Sequence, residues 1–569
     1  MNLKQINNLT ELFFNQFNQQ TDKDKTLLST LGDKKKNYSW QETFDFINLV
    51  SSELRNLISK GDRCLLISEN RPEWFITDLS IMLSDGITVP AYTTYAENDY
   101  DYILNDCTPS IIFVSNTEQF NKLKNIIKNK KFIKKIFSFE KLINAEIEYI
   151  NLEDLIQNNN KKNLSIYKSL ASRKDPSCII YTSGTQGRPK GVILSHGGIL
   201  SNCEGAVDIL KPLLSKEQSR FLTWLPLSHS YEHTVQFVQI TVAARIFYAE
   251  SIDKLVKNMN DCSPEIMTAV PRFYQNLYQK INASFRKATG LKKKLISKML
   301  ELGLKRIKKE NLTILEKIQD GILEKLVRNK IKSQFGGSLK TFVSGGGALD
   351  KEVGYFLNAI GLPTLQGYGL TETSPVVSCN PIDDIRIDTV GPPFKGNEVK
   401  IAEDGEILVK GENVMLGYWN NKKETEKVLI DDWLHTGDIG VFENNFLKIT
   451  DRKKDILITP GGENISPLKI ENELVNLEFI DQAVVYGDNK PYLVALLVLN
   501  DEFINVTNEE IHTQINNLNN NLSKIENIKK FFLIKEKFSI ENGMLTPTLK
   551  LKRYKIINKY KINFENLYN

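Results

Sequence analysis

A chain of 569 residues is well above the size of one hydrophobic core, so several packed subdomains are expected. Its 41% apolar and 25% charged residues exclude wholesale disorder, and the lack of any run of about eighteen apolar residues excludes an ordinary spanning helix. The net charge of +5 is uneven: from Arg286 to Lys332 fifteen Lys or Arg stand against five Asp or Glu, a local +10 that leaves about −5 for the rest.

The opening MNLKQINNLTELFF has no basic-then-apolar leader pattern, so a cytoplasmic, non-spanning chain is expected. Residues 64–92, CLLISENRPEWFITDLSIMLSDGITVPAY, pass from a short apolar run to a helical pattern and then to a second run, which predicts parallel α/β layers. The Asn-rich patches at 158–162 and 516–521 read as loops. Cys64, Cys107, Cys178, Cys203, Cys262 and Cys379 show no paired spacing, so reduced buried thiols are expected rather than disulfides or structural zinc.

After the apolar CIIY comes YTSGTQGRPKG at 181–191, whose glycines suit a tight turn or close approach to a small anion. A Walker loop requires GxxxxGK followed by Ser or Thr. Here Gly184, Gly187 and Lys190 are differently spaced and Gly191 follows the lysine, so that reading fails. Farther on, Leu291, Leu295, Met299 and Leu302 recur at helical spacing among Lys292, Lys293, Lys294, Lys298, Lys305 and Arg306. They predict a basic amphipathic helix within a helical insertion at about 284–334. A surface helix packed by its apolar stripe is the plainer expectation, and peripheral contact with an anionic membrane, on its inner face, is the alternative. Beyond DRKKDIL at 451–457 roughly 115 residues remain, enough for a separate α/β domain around YLVALLVL at 492–499. The expected domains are therefore 1–450 and 451–569.

Five motifs follow the 181–191 loop in order: SGGGALD at 344–350, QGYGLTETSP at 366–375, DDWLHTGDIG at 431–440, DRKKDILITPGGENISP at 451–467 and LTPTLKLKR at 545–553. Together they resemble the adenylate-forming superfamily of acyl-CoA synthetases, luciferases and peptide-synthetase adenylation domains, over roughly residues 175–555. WLPLSHSYEH, AVPRFY and GYGLTETSPVV resemble its long-chain fatty-acid–CoA ligases most. The resemblance implies an α/β fold, with a large N-terminal domain of layered α/β subdomains and a small mobile C-terminal α/β domain. It implies activation of a fatty acid by ATP to acyl-AMP, then transfer to CoA, with Mg²⁺ required and no nucleic-acid partner. A fatty-acyl-AMP ligase loading a carrier protein and a non-catalytic binding relative are the alternatives; the presence of Lys190, Glu372, Asp438 and Lys550 speaks against the second.

Residue by residue, the resemblance implies that Thr182, Ser183, Gly184, Thr185, Gln186, Gly187 and Lys190 surround the β- and γ-phosphates. Thr182 and Glu372 would supply oxygen to Mg²⁺. Gly346, Gly347, Gln366, Gly367, Tyr368, Gly369 and Thr371 would form the adenine side, and Asp438 would bind the ribose diol, with Arg452 on ribose or phosphate. Lys550 would reach the substrate carboxylate and the α-phosphate; Leu549 stands where relatives place glycine, and Lys552 is the less favoured lysine. Lys454 would be the hinge pivot, and Gly461, Gly462, Glu463 and Asn464 would line the pantetheine channel. His229 would orient the acyl carboxylate, and Val235, Phe237 and Val238 are candidates for the start of an acyl tunnel. The stretch His229 to His233 also spells HxxEH, the pattern of inverted zinc peptidases, but only His196, His435 and His512 remain elsewhere as a further histidine ligand.

Overall fold

The computed structural model describes residues 2–33, 35–158, 166–182, 189–503, 505–546 and 549–569. These form two compact units, a large one from 2–182, 189–399 and 409–434 and a small one from 400–408 and 435–569.

The large unit is built on two eight-stranded sheets. In one, the spatial order is Val376–Cys379, Thr364–Gly369, Thr341–Ser344, Ile266–Ala269, Arg220–Thr223, Arg245–Tyr248, Thr26–Thr30 and Asn37–Ser39, parallel in the middle and antiparallel at both edges. The other runs Gly417–Tyr418, Lys190–Ser195, Pro176–Thr182, Ile87–Ala91, Arg63–Ile67, Ile111–Val114, Lys135–Ser138 and Ile150–Asn151. Residues 64–92 follow the expected pattern: Arg63–Ile67 pairs in parallel with Ile87–Ala91, Leu65 opposite Val89, and the helix Pro72–Leu83 crosses between them. Parallel strands covered on both faces read as unbroken apolar runs, as in the fully buried IIFV of 111–114.

The Pro72–Leu83 helix is buried all round, so its acids need partners. Burial pushes the Glu73 carboxyl up, but Arg71 at 2.9 Å, with the Tyr38 hydroxyl donating at 2.8 Å, outweighs it and holds the group at about 2. Asp78 meets His233 Nε2 at 2.8 Å, both wholly buried.

The basic insertion is helical over Pro271–Arg286, Gly290–Ile307, Ile314–Leu323 and Asn329–Ser333. The predicted stripe faces the core: Met299 and Leu302 are fully buried and Leu295 packs beside them in a cluster with Leu357 and Ile360. Gly303 permits that approach, since a Cβ there would lie 2.4 Å from the Ala359 carbonyl oxygen. Leu291 alone of the four is exposed.

In the small unit Leu493–Leu499 is the central strand between Ile480–Tyr486 and Ile528–Ile534. Its continuous apolar sequence serves two faces: Leu493, Ala495 and Leu497 pack with Ile470 and Leu474, while Val494, Leu496 and Val498 pack with Phe538, Ile556 and Phe564.

Candidate active site

Open parallel sheets bind ligands beyond the carboxyl ends of their strands. At those ends in the large unit lie the segments after Thr223, Ala269, Ser344 and Gly369, which carry His229, Pro271, Gly346 with Gly347, and Glu372. Ser183, Gly184, Thr185, Gln186 and Gly187 lie outside the described residues.

Thr182 and Lys190 end the two strands flanking that loop and are register partners in an antiparallel pair. Lys190 Nζ sits 2.5 Å from Glu424 Oε2 and 4.9 Å from the centroid of the Tyr418 ring. Lys190, with Lys427, holds the Glu424 carboxyl at about 2. The Tyr418 hydroxyl donates to Glu372 Oε1 at 2.8 Å. Tyr418 therefore ties the loop lysine to the candidate metal carboxylate, two residues the sequence could not join. No local signal marks Tyr418 or Glu424: Gly417–Tyr418 pairs with Ile193 and Val192, and Tyr418 N donates at 2.9 Å to Thr425 Oγ1 on the helix Lys422–Val428 that carries Glu424.

Glu372 occupies a single turn, Thr371–Thr373, whose carbonyl at Glu372 accepts from Met415 N at 2.8 Å. Thr371 Oγ1 lies 3.2 Å from Ser230 Oγ, and Thr234 Oγ1 donates to the Ser374 carbonyl at 3.0 Å. These contacts fasten the turn to the Ser230–Thr241 helix, which His229 caps: its Nδ1 accepts from Tyr231 N at 3.2 Å. The neutral ring then carries its proton on Nε2, the sense needed to donate to a carboxylate. Of the HxxEH residues, His233 is turned onto Asp78 and, through Nδ1, lies 3.8 Å from Cys178 Sγ. Glu232 is buried against Thr268. Phe237 and Val238 are core residues, while half-buried Val235 packs with Leu225, Tyr231 and Val270.

Of the residues expected to face adenine, Gly346 has φ +80°, which favours glycine, and a Cβ on Gly347 would approach only Pro271. The Gln366 amide donates to the Ile387 carbonyl and is buried, so its side chain shapes the strand end. Gly367, Tyr368 and Gly369 pair with Val376–Cys379, Tyr368 opposite Ser378. The candidate metal donors, the Thr182 hydroxyl and the Glu372 carboxylate, are both oxygen, which fits Mg²⁺; among the described residues no group of three or more His, Cys, Asp or Glu gathers for a metal.

In the small unit Asp438 and Arg452 are register partners, Arg452 Nε standing 3.5 Å from Asp438 Oδ1. Lys453 binds Asp404 at 2.6 Å and Glu406 at 3.1 Å, while Lys454 is exposed. Gly461, Gly462 and Glu463 form the exposed tip between the paired strands Leu457–Ile458 and Asn464–Ile465, Gly462 at φ +84°. Exposed Lys550 follows Leu549, which adopts φ +62° where the resemblance expects glycine; the Thr546 carbonyl accepts from Leu549 N at 2.8 Å.

Residues 13–419 match the AMP-binding enzyme family, and residues 454–569 match the AMP-binding enzyme C-terminal domain. The chain belongs to the AMP-binding enzyme family. Among curated AMP-binding enzymes it is 29% identical over 537 residues to long-chain-fatty-acid–CoA ligase FadD15 of Mycobacterium tuberculosis, covering 90% of this chain and 89% of that protein. It is 30% identical over 561 residues to long-chain-fatty-acid–CoA ligase 5 of Rattus norvegicus, covering 88% and 79%. Its fold is that of the anthranilate CoA ligase AuaEII in complex with anthranoyl-AMP (TM-score 0.77, 20% identity, 99% of each chain). It is also that of ATP-bound MatB from Rhodopseudomonas palustris (TM-score 0.75, 22% identity, 98% and 100% covered).

Proposed function

We propose that this AMP-binding enzyme joins a long-chain fatty acid to CoA in two steps, with ATP converted to AMP and pyrophosphate. A carboxylate is already anionic and its oxygen leaves poorly, so it must be activated before a thiol can attack. In the first step a carboxylate oxygen attacks the α-phosphorus of ATP and the bond to pyrophosphate breaks. In the second the CoA thiolate attacks the acyl carbon and AMP leaves with the bonding electron pair. The reading is carried by Lys190 and Glu372 meeting on one tyrosine beside Thr182, in a chain whose curated relatives are long-chain-fatty-acid–CoA ligases.

Lys190, with Ser183, Gly184, Thr185, Gln186 and Gly187, binds the β- and γ-phosphates; to do so it exchanges Glu424 for phosphate oxygen. Thr182 and Glu372 would hold Mg²⁺, which when bound offsets the charge that builds on pyrophosphate. Gly346, Gly347, Gln366, Gly367, Tyr368, Gly369 and Thr371 receive adenine, Asp438 the ribose diol and Arg452 the ribose or phosphate. His229 orients the acid through Nε2, and Lys550 brings a mobile ammonium to the carboxylate and α-phosphate during adenylation. A C-terminal domain, 451–569, moves about a hinge at Lys454, so that Gly461, Gly462 and Glu463 serve CoA in the second step. Peripheral contact with an anionic membrane belongs to the same reading.

The test is pyrophosphate release over a panel of carboxylic acids, with and without CoA. Long-chain acids should give pyrophosphate, AMP and acyl-CoA. Release of orthophosphate would refute the reaction, and accumulation of acyl-AMP with CoA left unused would replace it by loading of another acceptor.

A further inference from the structure

We infer that the outward face of residues 314–326 is a docking surface for an anionic lipid bilayer. This segment consists of the helix Ile314–Leu323 and the π-helical turn Glu324–Arg328 that continues it. Ile314, Leu315, Ile318, Ile322 and Leu326 are 80%, 68%, 60%, 50% and 58% exposed. At about 100° per residue they share one side of the helix, over a length of roughly 18 Å. A contiguous apolar face of this kind marks an interaction site, whereas apolar residues scattered singly do not.

The charges show what covers it. Every acid of the segment is turned away and neutralised: Glu316 by Lys305 at 2.6 Å, Asp320 by Arg306 at 3.2 Å and Arg328 at 2.7 Å, and Glu324 by Lys332 at 3.0 Å. Lys317, Lys325 and Lys330 are exposed; at about 100° per residue Lys317 stands beside the stripe, Lys325 falls on the stripe's own side near its C-terminal end, and Lys330 lies just beyond it. The segment's outward side is thus aliphatic, with lysines on and beside it, and its own three carboxylates are turned away. A protein partner would be served by aromatic anchors and charges of both signs, whereas a bilayer with anionic headgroups takes up aliphatic side chains to about 5–10 Å and attracts the lysines. The choice of lipid rests in part on the proposed reaction, whose acid substrate dissolves in bilayers. The stripe on Leu295, Met299 and Leu302 offers no such face, because it is packed inside.

The test is flotation of the full-length protein with vesicles of phosphatidylcholine, with and without phosphatidylglycerol. The protein should float with the phosphatidylglycerol vesicles and detach as salt is raised. Ile318→Glu with Ile322→Glu should lower partitioning at least about tenfold. Lys317→Glu with Lys325→Glu should lower it by a similar factor and remove most of the salt dependence. Wild-type protein that stays unbound, or an Ile318→Glu/Ile322→Glu variant that floats as well as wild type, overturns the proposal. So does sedimentation showing that these substitutions split a dimer of a protein that never floats. Flotation needs no turnover: lost binding with intact acyl-CoA synthesis removes the surface alone, and lost synthesis with intact binding removes the reaction alone.

Discussion

Glu232 lies wholly inside the large unit, with Oε2 accepting from Thr268 Oγ1 at 2.8 Å and Oε1 lacking a protein hydrogen bond. Burial pushes its carboxyl from 4.5 up to about 8, so the fold holds a proton that the unfolded chain has released. The native state therefore binds more protons between those values, and stability falls as pH rises from 4.5 toward 8. Glu232→Gln keeps the shape and removes the titration. Its advantage over wild type should grow across that window to about 3 kcal/mol at neutral pH, read from urea unfolding at pH values near its two ends. Curves that stay parallel at both pH values would show that the carboxyl ionises freely where it stands. The neighbouring pair behaves otherwise: burial depresses the His233 imidazolium, but Asp78 beside it more than offsets this and holds the ring above its ordinary value.

At the scale of an element, Thr364–Gly369 must turn back through Thr371–Thr373 into Val376–Cys379, which presses the two chains together at Gly369. A Cβ on Gly369 would lie 1.8 Å from the Pro375 carbonyl oxygen, a backbone atom that cannot swing aside. Gly369→Ala should therefore cost about 3 kcal/mol or more and displace the turn that carries Glu372. Gly461→Ala meets nothing nearer than 3.6 Å and should leave stability within about 0.5 kcal/mol. Denaturant unfolding of the two variants decides it, and equal stabilities would contradict the close approach. Element type was the most legible feature of the sequence, because periodicity is local. CLLISEN through GITVPAY reads as strand, helix and strand, and YLVALLVL reads as a covered strand. Facing was not legible: the 291–302 and 314–326 stripes are both apolar at helical spacing, yet one packs on Leu357 and the other is exposed.

At the scale of the whole molecule, each unit has its own core, the small one centred on Leu493–Leu499 and the large one on its two sheets. Lys550 belongs to the small unit, and Thr182, Lys190 and Glu372 to the large one. If one lysine serves only the first step, its removal must divide the two half-reactions. Lys550→Ala should lower acyl-AMP formation at least about a hundredfold and change the conversion of supplied acyl-AMP to acyl-CoA less than about threefold. Pyrophosphate release and thioester formation, measured separately, test this; equal losses would remove Lys550 from its assigned role. No helix among the described residues is long and apolar enough to cross a membrane.

Alternating strand and helix patterns determined by themselves the class of fold, since periodicity is local, and the ordered motifs from 181 to 553 carried the resemblance that implied the chemistry and the candidate residues. Only the tertiary structure decided that Tyr418 joins Lys190 to Glu372, that His233 is held by Asp78, and which amphipathic helix keeps its apolar face outside. Those outcomes depend on side chains tens to hundreds of residues apart competing for the same partner. Such competition is settled by packing and charge in three dimensions, and leaves no periodic trace along the chain.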